Sequence, residues 1–95
     1  MSLQPSRIHR MTDPTALDTG IRKVLKQHGR LAQDADTLDA TSDLYQAGMS
    51  SYASVNVMLG LEGEFDVEFP DRMLTRSVFS SIAAIRGALG ELLGD

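Results

Sequence analysis

The 95-residue chain contains no cysteine. Disulfides, thiol nucleophiles and cysteine-ligated metals are excluded, and stability must come from packing. No apolar run approaches the roughly 20 residues of a membrane span. No basic residue stands between Arg30 and Arg72, while the same interval holds nine acids: Asp34, Asp36, Asp39, Asp43, Glu62, Glu64, Asp66, Glu68 and Asp71. Such a field repels phosphate backbones and anionic lipid, so neither a nucleic acid nor a membrane is expected as partner. It is either a solvated face or a surface that steers a basic protein.

What is present fits one small domain. A chain of this length buries roughly two-thirds of its unfolded surface, enough for a single modest core and too little for a barrel or doubly wound sheet. Hydrophobic residues make up 42% of the chain, too many for a disordered one. Met1 to Arg10 carries Arg7 and Arg10 but no apolar stretch like a signal-peptide core, so a cytoplasmic location is expected. Residues 1–12 are read as a loose N-terminal extension and 13–95 as the domain. Residues 11–95 have 7 Lys+Arg against 13 Asp+Glu, a net charge of −6.

Apolar spacing predicts helices throughout. The first spans Pro14 to His28: Asp13 is placed to cap it, Pro14 suits the first helical position, and Leu17, Ile21, Val24 and Leu25 share a face. Gly29 is its stop. Arg30 to Ser50 reads as a long connection pinned by Leu31, Leu38, Leu44 and Tyr45, with a turn at Asp43-Leu44-Tyr45 and a sharp bend at Gly48. The second helix spans Ser51 to Phe65, capped by Ser50 or Ser51. On it Val57, Met58, Leu61 and Phe65 form the core arc. Tyr52, Val55 and Leu59, beside Glu62, form a second arc, which is either covered by the rest of the domain or a partner-binding face. Phe69-Pro70-Asp71 leads into a short helix through Leu74, with Met73 and Leu74 inward. Val78, Ile82, Ile85, Leu89 and Leu92 predict a last helix over 78–93, which Gly87 and Gly90 weaken by about 1 kcal/mol each. No segment alternates like a strand. The expected fold is all-α, a small bundle of three principal helices plus one short helix.

Familiar chemistry is mostly absent. Asp34, Asp36, Asp39 and Asp43 do not make an EF-hand loop, because Leu38 and Asp39 stand at its fifth and sixth positions. His9 and His28 are too far apart for a local zinc motif, and no metal site is expected. The glycines precede no Lys-Ser or Lys-Thr. A catalytic triad built on a serine would have little room for a substrate pocket. What remains is the run Gly48-Met49-Ser50-Ser51-Tyr52, a serine pair between an acidic connection and a helix.

The stretch Asp43-Leu44-Tyr45-Gln46-Ala47-Gly48-Met49-Ser50-Ser51, followed by Val55, Met58, Leu61, Glu62, Glu64 and Phe65, resembles an acyl carrier protein. Phe65-Asp66-Val67-Glu68-Phe69-Pro70-Asp71 resembles that family's acidic turn before its third helix. The likeness covers about residues 13–93, and Gly48 to Asp71 is its specific part. It implies that Ser51 receives 4′-phosphopantetheine from coenzyme A by the action of a phosphopantetheinyl transferase, gaining a thiol that carries cargo as a thioester. Ser50 is the main rival for attachment, with Ser54 and Ser42 behind it.

The resemblance also implies that Tyr52, Val55, Leu59 and Glu62 dock partner enzymes, with acids steering basic partners. The protein would then be a non-catalytic carrier and a monomer, since a shuttle needs its docking face free. Two departures bear on the cargo. Ser50-Ser51-Tyr52 replaces the family's usual Asp-Ser-Leu, and Asn56 stands where fatty-acid carriers often have Glu. The sequence looks more like short stand-alone carriers, some loaded with small amino acids by ligases resembling aminoacyl-tRNA synthetases. A fatty or polyketide chain delivered by acyl transferases is the alternative, and an unmodified helical interaction module a further one.

Overall fold

A computed structural model describes residues 13–94. The expected extension at 1–12, with His9, and the last residue lie outside them. The described residues form three α-helices, α1 (Pro14–His28), α2 (Ser51–Phe65) and α3 (Ile82–Leu92), and two 3-10 turns, Ala35–Thr37 and Asp71–Met73. No strand occurs among them, and the all-α reading holds.

Helix α1 lies against both α2 and α3. Asp13 caps it, its carboxylate accepting the Thr15 N–H at 2.9 Å, with Pro14 at the first position. The helix stops at Gly29, but the left-handed residue that turns the chain is the next one, Arg30, at φ 54°. The core is shared: Leu17, Ile21, Val24 and Leu25 from α1, Ala53, Val57 and Leu61 from α2, and Ile82, Ile85 and Leu89 from α3. Phe69 and Phe79 meet edge to face, with ring centroids 5.3 Å apart, and close one end. The α1–α2 contact is close at Gly60, where a Cβ would come within 2.8 Å of both Val24 Cγ1 and His28 Cδ2.

The long connection is ordered by specific bonds. Arg22 on α1 donates to the carbonyls of Ala35 and Leu38, at 2.6 and 2.8 Å, and holds the first 3-10 turn against the helix. Leu38 and Leu44 are buried, and Leu31 and Tyr45 pack on the core, as the sequence predicts. Two backbone bonds stitch this connection to the entry of α3: Leu44 N–H to Ser80 O at 2.7 Å and Ala83 N–H to Ala40 O at 2.8 Å. The expected turn is present over 44–48, with the Asp43 carboxylate accepting the Tyr45 N–H.

Three expectations are corrected. The last helix begins at Ile82, not Val78, because Ser81 is extended and its hydroxyl accepts the Ala84 N–H as the cap. Upstream, the Thr75 hydroxyl accepts the Val78 N–H and the Ser80 hydroxyl donates to Ser77 O. These local bonds satisfy the backbone without a helix. The short helix through Leu74 is a single 3-10 turn ending at Met73; Met73 is buried, but Leu74 turns outward and is 45% exposed. In α2 the core face centres on Ala53, Val57 and Leu61, while Met58 and Phe65 are only half-buried at its edges.

Candidate functional site

The serine pair sits where the connection turns into α2. Gly48 adopts φ 118°, a conformation that residues with a Cβ rarely take. Met49 is buried behind it, and the Met49 N–H bonds Leu44 O at 3.0 Å. The chain thus enters α2 at a fixed angle. Ser50, extended at φ −80° and ψ 166°, is the N-cap: its Oγ accepts the Ala53 N–H at 3.0 Å. Ser51 is the first helical residue and is exposed, and its hydroxyl forms no hydrogen bond with any described residue. Of the rivals, Ser54 directs its hydroxyl to Ser51 O at 2.7 Å and Ser42 lies away on the connection.

Beside Ser51 lies a groove of about 380 Å³. Met58, Val55, Leu74 and Phe79 give it apolar walls, and Tyr45, Ser54, Thr75 and Arg76 complete its lining. The Arg76 guanidinium stacks on the Tyr45 ring, 3.8 Å from its centroid. The free N–H groups and dipole of the α2 N-terminus favour negative charge at Ser51. An exposed hydroxyl at a helix start, next to a groove with apolar walls and a cation at its edge, fits a phosphodiester followed by a slender amphiphilic chain.

Of the four expected docking residues, Tyr52, Val55 and Leu59 lie on the outer face of α2, with exposures of 79%, 51% and 54%. No described segment covers them. Leu74 extends this surface across the groove. Glu62 is half-buried, and its Oε2 accepts the Phe69 N–H at 2.9 Å, bracing the acidic turn. Sequence reasoning missed the groove's far wall. The sequence places Tyr45 on the core, where it does pack, and Leu74 in the interior, where it does not lie, and nothing in their spacing shows that both also face Ser51 across a groove. Among the described residues no three His, Asp or Glu side chains converge as a metal site, and no helix is long and apolar enough to cross a membrane.

The family model for the phosphopantetheine attachment site matches residues 21–89. The chain belongs to that family of carrier proteins, and 4′-phosphopantetheine is the group the family bears. More particularly, it is 46% identical over 77 residues to the aminoacyl carrier protein of Agrobacterium fabrum, covering 81% of this chain and 93% of the relative. It is 35% identical over 74 residues to aminoacyl carrier protein 1 of Bradyrhizobium diazoefficiens, covering 74% and 82%. It also superposes with a TM-score of 0.74 and 47% identity on a chain in the crystal structure of an engineered Bradyrhizobium japonicum glycine:[carrier protein] ligase complexed with a carrier protein from Agrobacterium tumefaciens and AMP. That match covers 76% of this chain and 96% of the other.

Proposed function

We propose that Ser51 carries the 4′-phosphopantetheine arm and that the protein shuttles a small amino acid, loaded by an ATP-dependent ligase resembling an aminoacyl-tRNA synthetase. The observation that carries this reading is the division between two adjacent serines: Ser50 is engaged as the cap, while Ser51 is exposed with its hydroxyl free. In the attachment, Ser51 Oγ attacks the pantetheine-side phosphorus of coenzyme A. The Oγ–P bond forms as the pyrophosphate P–O bond breaks, the nucleotide half leaves, and the hydroxyl proton passes to a base of the transferase. The bound group supplies a terminal thiol on a long tether, which a chain without cysteine otherwise lacks.

The remaining work of this chain is presentation. The α2 N-terminus stabilises the phosphodiester charge, and the buried Met49 and Gly48 bend hold the attachment point in place. Tyr52, Val55 and Leu59 offer an apolar docking face, with Glu62 and the neighbouring acids steering a basic partner toward it. Catalysis belongs to the partners, the phosphopantetheinyl transferase and the ligase. The amino acid cargo is supported by the names of the two relatives and by the ligase complex in which a similar chain was solved. The domain from residue 13 onward acts as a monomer, in the cytoplasm where coenzyme A and ATP are at hand.

Mass spectrometry after incubation with coenzyme A and a broad-specificity transferase tests the attachment. The wild type and Ser50→Ala gain one phosphopantetheine, and Ser51→Ala gains none. A wild type that stays bare, or a Ser51→Ala protein that is still modified, overturns the assignment. Offering the holo protein to the ligase with ATP and glycine or alanine tests the cargo; acylation by a fatty acyl transferase alone overturns it.

A further inference from the structure

Five of the seven lysines and arginines among the described residues are engaged. Among the described residues, Lys23 faces Glu64 at 3.2 Å, Lys26 faces Asp36 at 2.5 Å, Arg72 faces Glu91 at 3.3 Å and Arg86 faces Asp18 at 2.6 Å. Arg22 is committed to two backbone carbonyls. Arg76 differs. It is exposed, has no carboxylate or hydrogen-bond partner among the described residues, and holds its guanidinium carbon 3.8 Å over the Tyr45 ring in the wall of the groove that Ser51 also lines.

Stacking fixes the plane of a guanidinium while leaving its N–H edge free to donate, which suits recognition of a phosphate oxygen. The ring also cuts the rotamer entropy that an exposed arginine otherwise loses on binding. No protein charge nearby uses the cation, and the groove's other walls are largely apolar. We infer that Arg76, held by Tyr45, is a positioning residue for the prosthetic arm: it pairs with the phosphodiester on Ser51 and lays the start of the arm along the groove. This rests on Ser51 being the attachment point. It adds a role for two residues outside α2, and it predicts a preferred direction for the arm rather than free rotation about Ser51.

The test compares apo and holo forms of the wild type, Arg76→Gln and Arg76→Lys, with mass confirming the loading of each. In the wild type, loading shifts the Tyr45 ring proton resonances, and the holo ³¹P resonance moves as sodium chloride is raised. In Arg76→Gln the holo ³¹P resonance is displaced by more than its line width and no longer responds to salt, and the Tyr45 shifts on loading are lost. In Arg76→Lys the holo ³¹P resonance is displaced less than in Arg76→Gln and still responds to salt, because the charge is kept. Arg76 is exposed, so equal melting temperatures of the three apo proteins are expected. A loaded wild type whose ³¹P and Tyr45 resonances match those of Arg76→Gln overturns the pairing and leaves Ser51 as the attachment point. A wild type that takes up no arm at Ser51 overturns both.

Discussion

Two neighbouring serines with one side-chain chemistry do different work because their backbones differ. Ser50 is extended and turns its hydroxyl to the Ala53 N–H; Ser51 is helical and turns its hydroxyl outward. Ser50→Ala therefore lowers stability by about 1 kcal/mol, the usual loss of an N-cap, while Ser51→Ala stays within about 0.5 kcal/mol of the wild type in urea unfolding. The sequence located the pair but left the cap open between them, since only φ and ψ distinguish one serine from the other. A second residue-scale case is Asp39. The Thr41 N–H and hydroxyl donate to its carboxylate at 2.8 and 2.7 Å and hold its pKa below the usual 3.8, with the charge of Arg22 adding to this. A depressed folded pKa stabilises above the unfolded value, and that contribution fades as pH falls through the folded one. A carboxyl carbon NMR titration should place the Asp39 midpoint below the ordinary carboxylate range, and Thr41→Ala should move it part of the way back.

At the scale of helices, glycines separate two effects that composition cannot. Gly87 on α3 is exposed, and a Cβ there meets nothing within 4 Å. Gly87→Ala should raise stability by about 1 kcal/mol, read from the urea midpoint. Gly60 on α2 lies against the buried Val24 of α1, so Gly60→Ala should lower stability by about 1–2 kcal/mol once overpacking is set against the propensity gained. The sequence marks Gly87 as a weak point because helix propensity is local. It is silent on Gly60 because the constraint comes from another helix. The ends of the elements follow the same rule. The bounds of α1 and α2 are legible from caps and apolar spacing, whereas the apolar spacing starts α3 four residues too early. There the ladder through Val78 continues into a segment whose serines and threonine bond locally, and Val78 packs on the core without being helical.

For the molecule as a whole, charge was the part of the site most visible in advance. The acids between Arg30 and Arg72 are largely exposed, and steering by such a field is screened over about 10 Å at 0.1 M salt. Raising ionic strength should therefore raise the KM of the ligase for this carrier several-fold and leave its KM for ATP unchanged; equal responses would mean that the field plays no part in docking. The groove was hidden because it is assembled from Tyr45, Ser51 and the 74–79 segment, pieces that only the closed bundle brings together.

The two backbone bonds joining the connection to the entry of α3 bear on how that groove behaves in time. Leu44 to Ser80 and Ala83 to Ala40 tie together, through the main chain, the two segments that carry Tyr45 and Phe79 into the groove's far wall. Deuterium should therefore replace the Leu44 and Ala83 amide protons as slowly as those in the helix centres, so that the turn at Leu44 outlasts the last turn of α3. That wall would come apart only when the domain begins to melt, and a visiting enzyme would meet it already assembled.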